Sequence, residues 1–326
     1  MIELLKVSKN FGGKAAVKKV SFFVKTEEKF VLLGRSGCGK TTTLKMINRL
    51  IEPTEGSIRI RGKDILQEKP TDLRKSIGYV IQGVGLFPHY TVRQNIGLVP
   101  QLRGWDAKKI RQRCDELLHI LGLPEAIAEC YPHELSGGQQ QRVGVARALA
   151  ADPPIVLLDE PFGALDPITR GKIQREFKAL DTLKQKTLVM VTHDVFEAVT
   201  LADTICLMDA GEIQQVGSPK ELIFSPVNEY VRNFFDTHRF QLELQVVTLK
   251  DIIAAMEEET HSSVPAATEV MNLPEDTPLL QTLEELEKID HTDLVIEIKT
   301  VTNQRTHYLS RDMIFSAFYK VKEKWK

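Results

Sequence analysis

Several short runs in the chain are apolar with no polar residue breaking them: Phe30-Val31-Leu32-Leu33, Ile155-Val156-Leu157-Leu158 and Leu188-Val189-Met190-Val191. Uninterrupted runs of this length suit parallel strands covered on both faces. Gly78-Tyr79-Val80-Ile81 reads as a further strand. Ile2–Val7, Ala16–Val24 and Ser57–Arg61 alternate instead, and predict an antiparallel sheet beside the first run. From about 86 to 150 the period becomes helical. Asp106 predicts the cap of a helix running to Leu121, with Ile110, Leu117, Leu118 and Leu121 apolar, and Gly122 and Pro124 stop it. Residues 151 to about 235 return to alternating strands and helices. Beyond 240, Leu279, Leu283 and Leu286 mark an amphipathic helix, Leu294–Ile298 a strand, Asn303 a turn, and a second strand runs to Leu309. Ser310 predicts the cap of a last helix with Ile314, Ala317, Phe318 and Val321 on one face. There is no internal repeat and no long coiled-coil insertion.

The first apolar run ends in Gly34-Arg35-Ser36-Gly37-Cys38-Gly39-Lys40-Thr41-Thr42, and Leu44, Ile47 and Ile51 follow at helical spacing. Strand, glycine-rich turn, lysine, threonine and helix together make a phosphate-binding loop. Gly34, Gly37 and Gly39 allow a tight turn whose N–H groups face phosphate oxygens. Lys40 supplies a point charge for the β- and γ-phosphates, the Thr41 hydroxyl a ligand for Mg²⁺, and the helix start a positive potential. The implied ligand is a nucleoside triphosphate. Cys38 is a filler position, although a helix N-terminus and a neighbouring lysine together lower a thiol pKa.

Asp159 and Glu160 close the run Ile155–Leu158, and a second buried strand, Thr187 to Val191, ends in Thr192-His193-Asp194. Open α/β sheets bind ligands at the carboxyl ends of their strands. Asp159 is therefore the expected Mg²⁺ partner, Glu160 the group that orients or deprotonates an attacking water, and His193 its neighbour. A histidine at a strand end with only a hydrogen-bonding role is the alternative.

Leu135-Ser136-Gly137-Gly138-Gln139-Gln140-Gln141-Arg142 stands between the two halves. With the phosphate loop, the Asp159-Glu160-Pro161 turn, Ala164-Leu165-Asp166 and the His193 turn, it resembles the ATP-binding subunit of ABC transporters over residues 1 to about 238. The resemblance implies an α/β P-loop fold: a RecA-like core, an antiparallel β subdomain and a helical subdomain at about 86–150. It implies two subunits that sandwich two ATP molecules head to tail. Ser136, Gly137, Gly138 and Gln139, at the start of a helix expected over Gln139–Ala150, would face the γ-phosphate held by the other subunit. Gln82 matches the position that senses Mg²⁺ and water, Asp166 the loop that couples the two sites, and Phe11 the aromatic that stacks on adenine. A core phenylalanine is the alternative for Phe11.

Within that family, Thr42–Leu50, Ile77–Pro88 and Asp166–Arg170 resemble importers of quaternary amine osmoprotectants such as glycine betaine, choline and carnitine. Importers of another small solute, and non-transport ABC ATPases, are the alternatives. His89 falls in the segment where importers contact their permease. Residues 239–326 resemble a single CBS motif, a small α+β regulatory or dimerisation domain. The adenosyl-binding Ser/Thr-x-x-Asp pattern of that motif would fall on Ser310-Arg311-Asp312-Met313, so methionine stands at the acidic position. The implied partners are a second copy of the chain, integral permease subunits, and an extracytoplasmic substrate-binding protein or domain. The implied location is the cytoplasmic face of the plasma membrane.

Composition narrows this further. The 326 residues carry a net charge of −1, which gives no basic footprint for nucleic acid. Four cysteines lie without disulfide or metal spacing, as in a reducing compartment. No basic, apolar leader opens the chain, and no apolar stretch approaches the ~18 residues a membrane helix needs. A pore, if there is one, is expected on another polypeptide.

Overall fold

The computed structural model describes all residues except 84, 164, 166, 181, 182, 184, 257–268, 289–293, 300–305 and 326. The chain divides into two compact units, Met1–Val216 and Gly217–Lys326. The sequence reading set the division near 238. It falls earlier because the short helices that follow Gly217 pack among themselves and on the helix after them.

Two sheets build the first unit. Strands β1 (Ile2–Phe11), β2 (Lys14–Val24), β4 (Glu55–Ile60) and β5 (Lys63–Asp64) form a four-stranded sheet in the order β2-β1-β4-β5. Its pairs are antiparallel, as the alternation predicts. Strands β3 (Lys29–Leu33), β6 (Ile77–Val80), β7 (Ile155–Asp159), β8 (Thr187–Thr192), β9 (Thr204–Asp209) and β10 (Glu212–Gly217) form a six-stranded sheet in the order β10-β9-β3-β8-β7-β6. The pairs from β9 to β6 are parallel. Every residue of β7 and β8 is buried, which is why their central residues, Ile155–Leu158 and Leu188–Val191, are apolar without a break. Helix α1 (Lys40–Ile47) leaves the end of β3 and inserts Leu44, Met46 and Ile47 into a core shared with both sheets, where Phe22 stacks on Phe30 at 4.8 Å.

Helix α2 (Pro70–Lys75) precedes β6, and three longer helices follow it: α3 (Val92–Leu102), α4 (Ala107–Ile120) and α5 (Gly137–Leu149). Asp106 caps α4 by accepting from the Lys109 N–H at 2.9 Å, and Gly122 ends the segment in a left-handed conformation. Thr91 and Gln94 cap α3 reciprocally. Helices α6 (Pro167–Ala179) and α7 (Val195–Leu201) follow β7 and β8.

The second unit contains α8 (Pro219–Phe224), α9 (Glu229–Asp236), α10 (Arg239–Val246), α11 (Leu249–Met256), β11 (Glu269–Asn272), α12 (Leu279–Glu287), β12 (Leu294–Lys299), β13 (Thr306–Leu309) and α13 (Arg311–Lys324). Its sheet runs β11-β12-β13, with β11 parallel and β13 antiparallel to β12. Ser310 caps α13, whose Ile314, Ala317, Phe318 and Val321 are buried as predicted. On α12, Leu279 and Thr282 are buried, while Leu283 and Leu286 are half-buried. The turn expected at Asn303 lies outside the described residues.

Glycine is required for different reasons at two points of the loop between β3 and α1. Gly34 has φ +151°, and a Cβ there would overlap the Met208 carbonyl of neighbouring β9 and the Cys38 thiol. Gly37 has φ +81° but open space around it. Gly34→Ala should therefore lose on the order of 3 kcal/mol or fail to fold, whereas Gly37→Ala should cost ~1 kcal/mol of left-handed strain. Denaturant midpoints of the two variants measure the difference, and equal losses would remove the crowding argument.

Candidate nucleotide site at the strand ends

Register decides where the polar residues fall. Leu33 pairs with Thr192, Asp159 with Val191, and Val80 with Leu158. The residues that follow these strands, Gly34, Glu160, His193 and Gln82, therefore gather along one edge of the sheet.

On that edge the loop Gly34–Gly39 turns into α1. Gly39 holds a left-handed cap position, φ +104°, with no side chain capping the helix start. The first N–H groups of α1 are thus open to a ligand. Lys40 is only 4% exposed, and its ammonium donates to the carbonyls of Gly34 at 2.7 Å and Arg35 at 2.9 Å. Its charge is held over the loop itself. Arg35 and Ser36 are exposed and Thr42 half-buried. Cys38 is a buried filler position, as the sequence suggests. Burial pushes its thiol pKa up and outweighs the lowering influence of Lys40, whose ammonium lies 3.7 Å from the sulfur.

Thr41 Oγ1 donates to Asp159 Oδ1 at 2.9 Å. Asp159 is almost wholly buried, and burial raises its pKa, with Glu160 adding to the rise while Thr41, Lys45 and Tyr79 oppose it. Tyr79, on the adjacent strand, is raised in its turn, first by burial and then by the Asp159 charge. A buried carboxylate beside a threonine hydroxyl is a hard oxygen pair that suits Mg²⁺, an ion that takes one or two protein oxygens and completes its shell with phosphate and water. A cation would relieve the cost that burial places on Asp159. No cluster of three or more metal-ligating side chains occurs among the described residues, as such a shared shell requires none.

Glu160 has φ +47°, a left-handed conformation that is costly for a residue with a Cβ. Two backbone hydrogen bonds hold it there: its N–H donates to Val191 at 3.0 Å, and its carbonyl accepts from Gly163 at 3.2 Å. The carboxylate is mostly buried. Gln82 Nε2 donates to one oxygen at 3.1 Å, and His193 Nδ1 lies 3.3 Å from the other. The structure thus brings Gln82, Glu160 and His193 together, with Asp159 preceding them on β7.

Ser136 lies at the start of α5 and caps it reciprocally with Gln139: Ser136 Oγ accepts from the Gln139 N–H at 3.3 Å, and Gln139 Oε1 from the Ser136 N–H at 2.9 Å. The helix begins at Gly137 rather than Gln139, because this capping box draws both glycines into its first turn. Phe11 ends β1 and is 50% exposed, with the Lys9 ammonium 5.1 Å from its ring centre, so the core alternative does not hold. Asp166 lies outside the described residues.

Further polar contacts surround the site, and of these Asn95 escaped the sequence reading. Asn95 is fully buried and holds the segment after Gln82 in place: its amide accepts from the Phe87 N–H and donates to the carbonyls of Phe87, Tyr90 and Thr91. His89 packs with Phe87 and Tyr90 in that segment. Asp194 caps α7 by accepting from the N–H groups of Phe196 and Glu197. The Asp-x-x-Glu spacing that opens α7 is a legible cap signal; the burial of Asn95 has no local signature.

The ABC transporter family model matches residues 17–163. The chain is 48% identical over 273 residues to the glycine betaine uptake system ATP-binding protein YehX of Escherichia coli, a match covering 84% of this chain and 88% of the relative. It is 54% identical over 240 residues to the glycine betaine/carnitine/choline transport ATP-binding protein OpuCA of Bacillus subtilis, covering 73% of this chain. That match spans 63% of the length of OpuCA, and the same share holds for the choline transport ATP-binding protein OpuBA of that organism. Among solved structures, a dimeric, post-hydrolysis form of the ATP-binding cassette MJ0796 bound to ADP and Pi superposes with a TM-score of 0.61 at 36% identity, covering 67% of this chain and 98% of that one. The fold is that of an ABC cassette, and the chain belongs to the ABC transporter ATP-binding family.

One carboxyl near the site carries a measurable pH signature. Glu197 on α7 is 3% exposed, and burial raises its pKa from 4.5 to about 7; Asp194 adds to the rise, and Thr192, Gln174 and Arg170 oppose it. Folding therefore favours the protonated acid. That contribution is fully present below about 4.5 and is lost as pH rises through about 7. Glu197→Gln, neutral at every pH, should gain up to about 3 kcal/mol on the parent between pH 5 and pH 8. Denaturant titrations of both proteins at both pH values read this, and a pH-independent difference would exclude it.

Proposed function

We propose that this chain is the ATP-hydrolysing subunit of an importer for quaternary amine osmoprotectants such as glycine betaine, choline or carnitine. The observation that carries the hydrolytic part is the Glu160 carboxylate, set between Gln82 and His193 at the strand end next to the phosphate loop. The substrate class is supported by what the relatives' names state of those proteins. A different small solute is the alternative, and labelled-solute uptake in cells with and without the chain separates the two.

In this reading, Gly34–Gly39 and the open N–H groups of α1 wrap the ATP phosphates, and Lys40 turns from the loop carbonyls to phosphate oxygens. Thr41, Asp159 and Gln82 would hold Mg²⁺, which when bound neutralises phosphate charge. Glu160 orients a water and takes its proton, and His193 steadies Glu160 from the opposite side to Gln82. Phe11 offers its exposed face to adenine. Ser136, Gly137, Gly138 and Gln139 serve the ATP of a second copy, whose loop containing Asp166 couples the two sites. No helix among the described residues is long and apolar enough to cross a membrane. The reading therefore supplies separate permease subunits, and with them a station at the cytoplasmic face of the plasma membrane and an extracytoplasmic substrate-binding protein or domain.

Glu160→Gln keeps the shape and should bind ATP while losing ~10³-fold in turnover, about 4 kcal/mol of barrier. It should also collect an ATP-dependent dimer on size-exclusion chromatography. Adding Ser136→Arg should abolish that dimer without weakening ATP binding to the monomer. A persistent dimer would count against the head-to-tail arrangement, and near-normal turnover by Glu160→Gln would remove Glu160 from its role. Lys40→Ala should instead weaken nucleotide binding itself.

For the second unit, the succession β11-α12-β12-β13-α13, with its parallel and antiparallel pairs, supports the reading of a CBS-like regulatory or dimerisation domain. Met313 stands at the acidic position of the adenosyl-binding pattern. The full chain carrying Lys40→Ala should therefore show no heat of binding with AMP. A saturable signal in calorimetry would restore ligand binding to this unit.

A further inference from the structure

Helix α6 begins soon after Glu160, and helix α7 begins two residues after His193. Two polar rungs join these helices. Arg170 Nη1 lies 3.3 Å from Asp194 Oδ2, and one turn further along Gln174 Nε2 donates to Glu197 Oε1 at 3.2 Å. The spacings, four residues on one helix and three on the other, put each rung on a facing stripe.

The first rung reaches beyond the helices. Arg170 Nη2 donates to the Leu165 carbonyl at 2.9 Å, in the loop that leads away from Glu160. Asp194, on the other side, ties the turn that carries His193. Its Oδ1 accepts from Phe196 and Glu197, and its N–H donates to Thr192 Oγ1 at 3.0 Å. One guanidinium therefore joins the loop after Glu160 to the turn after His193. The His193 side chain is itself 53% exposed, so surrounding packing does little to hold it. Its distance from Glu160 depends on how the two backbones are held.

We propose that Arg170 is a positioning residue of the hydrolytic site: it clamps the loop after Glu160 to the His193 turn and so sets the separation of those two side chains. The proposal rests on the hydrolytic reading of Glu160 and His193. Arg170 makes no hydrogen bond to either of them and acts through the elements that carry them. A planar guanidinium can direct one N–H at a carboxylate and another at a carbonyl; a lysine ammonium on a flexible stem does not fix both directions at once. Displacing a reacting group by about 1 Å is enough to cost on the order of 10²-fold in rate.

The test is single-turnover hydrolysis of labelled ATP by the full chain, with a fluorescent ATP analogue to measure affinity. Arg170→Met should lower the rate at saturating ATP tenfold or more with affinity unchanged, and Arg170→Lys should fail to restore it. Asp194→Asn retains the helix cap but weakens the clamp; it should lose a similar factor, and the double variant should lose no more than either single one. In a His193→Ala background, Arg170→Met should change the residual rate less than twofold. A further tenfold loss in that background would overturn the clamp while leaving His193 in its role. Wild-type turnover by His193→Ala would overturn the hydrolytic reading and the clamp together. Wild-type turnover by Arg170→Met, or a loss confined to ATP affinity, would overturn the clamp alone.

Discussion

The parallel register of β3, β6, β7 and β8 is the constraint on which the site depends. Because Leu33 meets Thr192 and Asp159 meets Val191, the chain after each strand emerges along a common edge. A shift of one residue in β7 would turn Asp159 and Glu160 to opposite faces, since side chains alternate along a strand. The continuous burial of β7 and β8 fixes this register only in part, because both faces are apolar and a slipped strand would still be covered. Polar strand ends supply the rest. Thr41 reaches Asp159, and the Glu160 N–H reaches the Val191 carbonyl, so the site's own hydrogen bonds help to lock the sheet that creates it.

Two kinds of cost are concentrated at that edge. Asp159 is buried with a threonine hydroxyl as its hydrogen-bonding partner, and Glu160 takes a left-handed backbone conformation. Each is unfavourable by itself, and each places a carboxylate where a solvated loop would not hold it. The left-handed turn aims the Glu160 side chain at Gln82 and His193, which arrive from different strand ends. The surrounding core, with α1 driven into both sheets, supplies the stability that offsets these terms.

Much of this was legible in the chain because it depends on short-range chemistry. The glycine-rich loop, the acidic strand end, the Asp106 and Ser310 caps and the apolar runs all announce themselves within a few residues. What could not be read locally required a third dimension. The start of α5 moved to Gly137 because a serine and a glutamine cap each other across both glycines. Cys38 is the filler that the sequence suggests; only the fold shows that burial outweighs the neighbouring lysine and raises its thiol pKa. Asn95 and Glu197 are buried polar groups, the first folded back on the turn just before its helix and the second paired with Gln174 on another helix, and residue type alone does not announce either burial. The boundary between units was displaced for the same reason, since α8 and α9 carry no signal of which neighbours they choose.

The N-terminus of α5 shows why one chain reads as half of something. Ser136 spends its hydroxyl on the Gln139 N–H, so the cap is satisfied internally, while Gly137 is exposed and a Cβ there would meet nothing. A helix that needed only to begin would do as well with bulkier residues at this point. Glycines in the first turn instead keep the backbone N–H groups approachable, which is useful only to something that comes very close. In the proposed reading, the loop at Gly34–Lys40 is the complementary case, a phosphate cradle that a second copy would close. In the proposed head-to-tail pair, each copy would supply what the other lacks, and two-fold symmetry would let one exposed helix start and one cradle satisfy both interfaces at once.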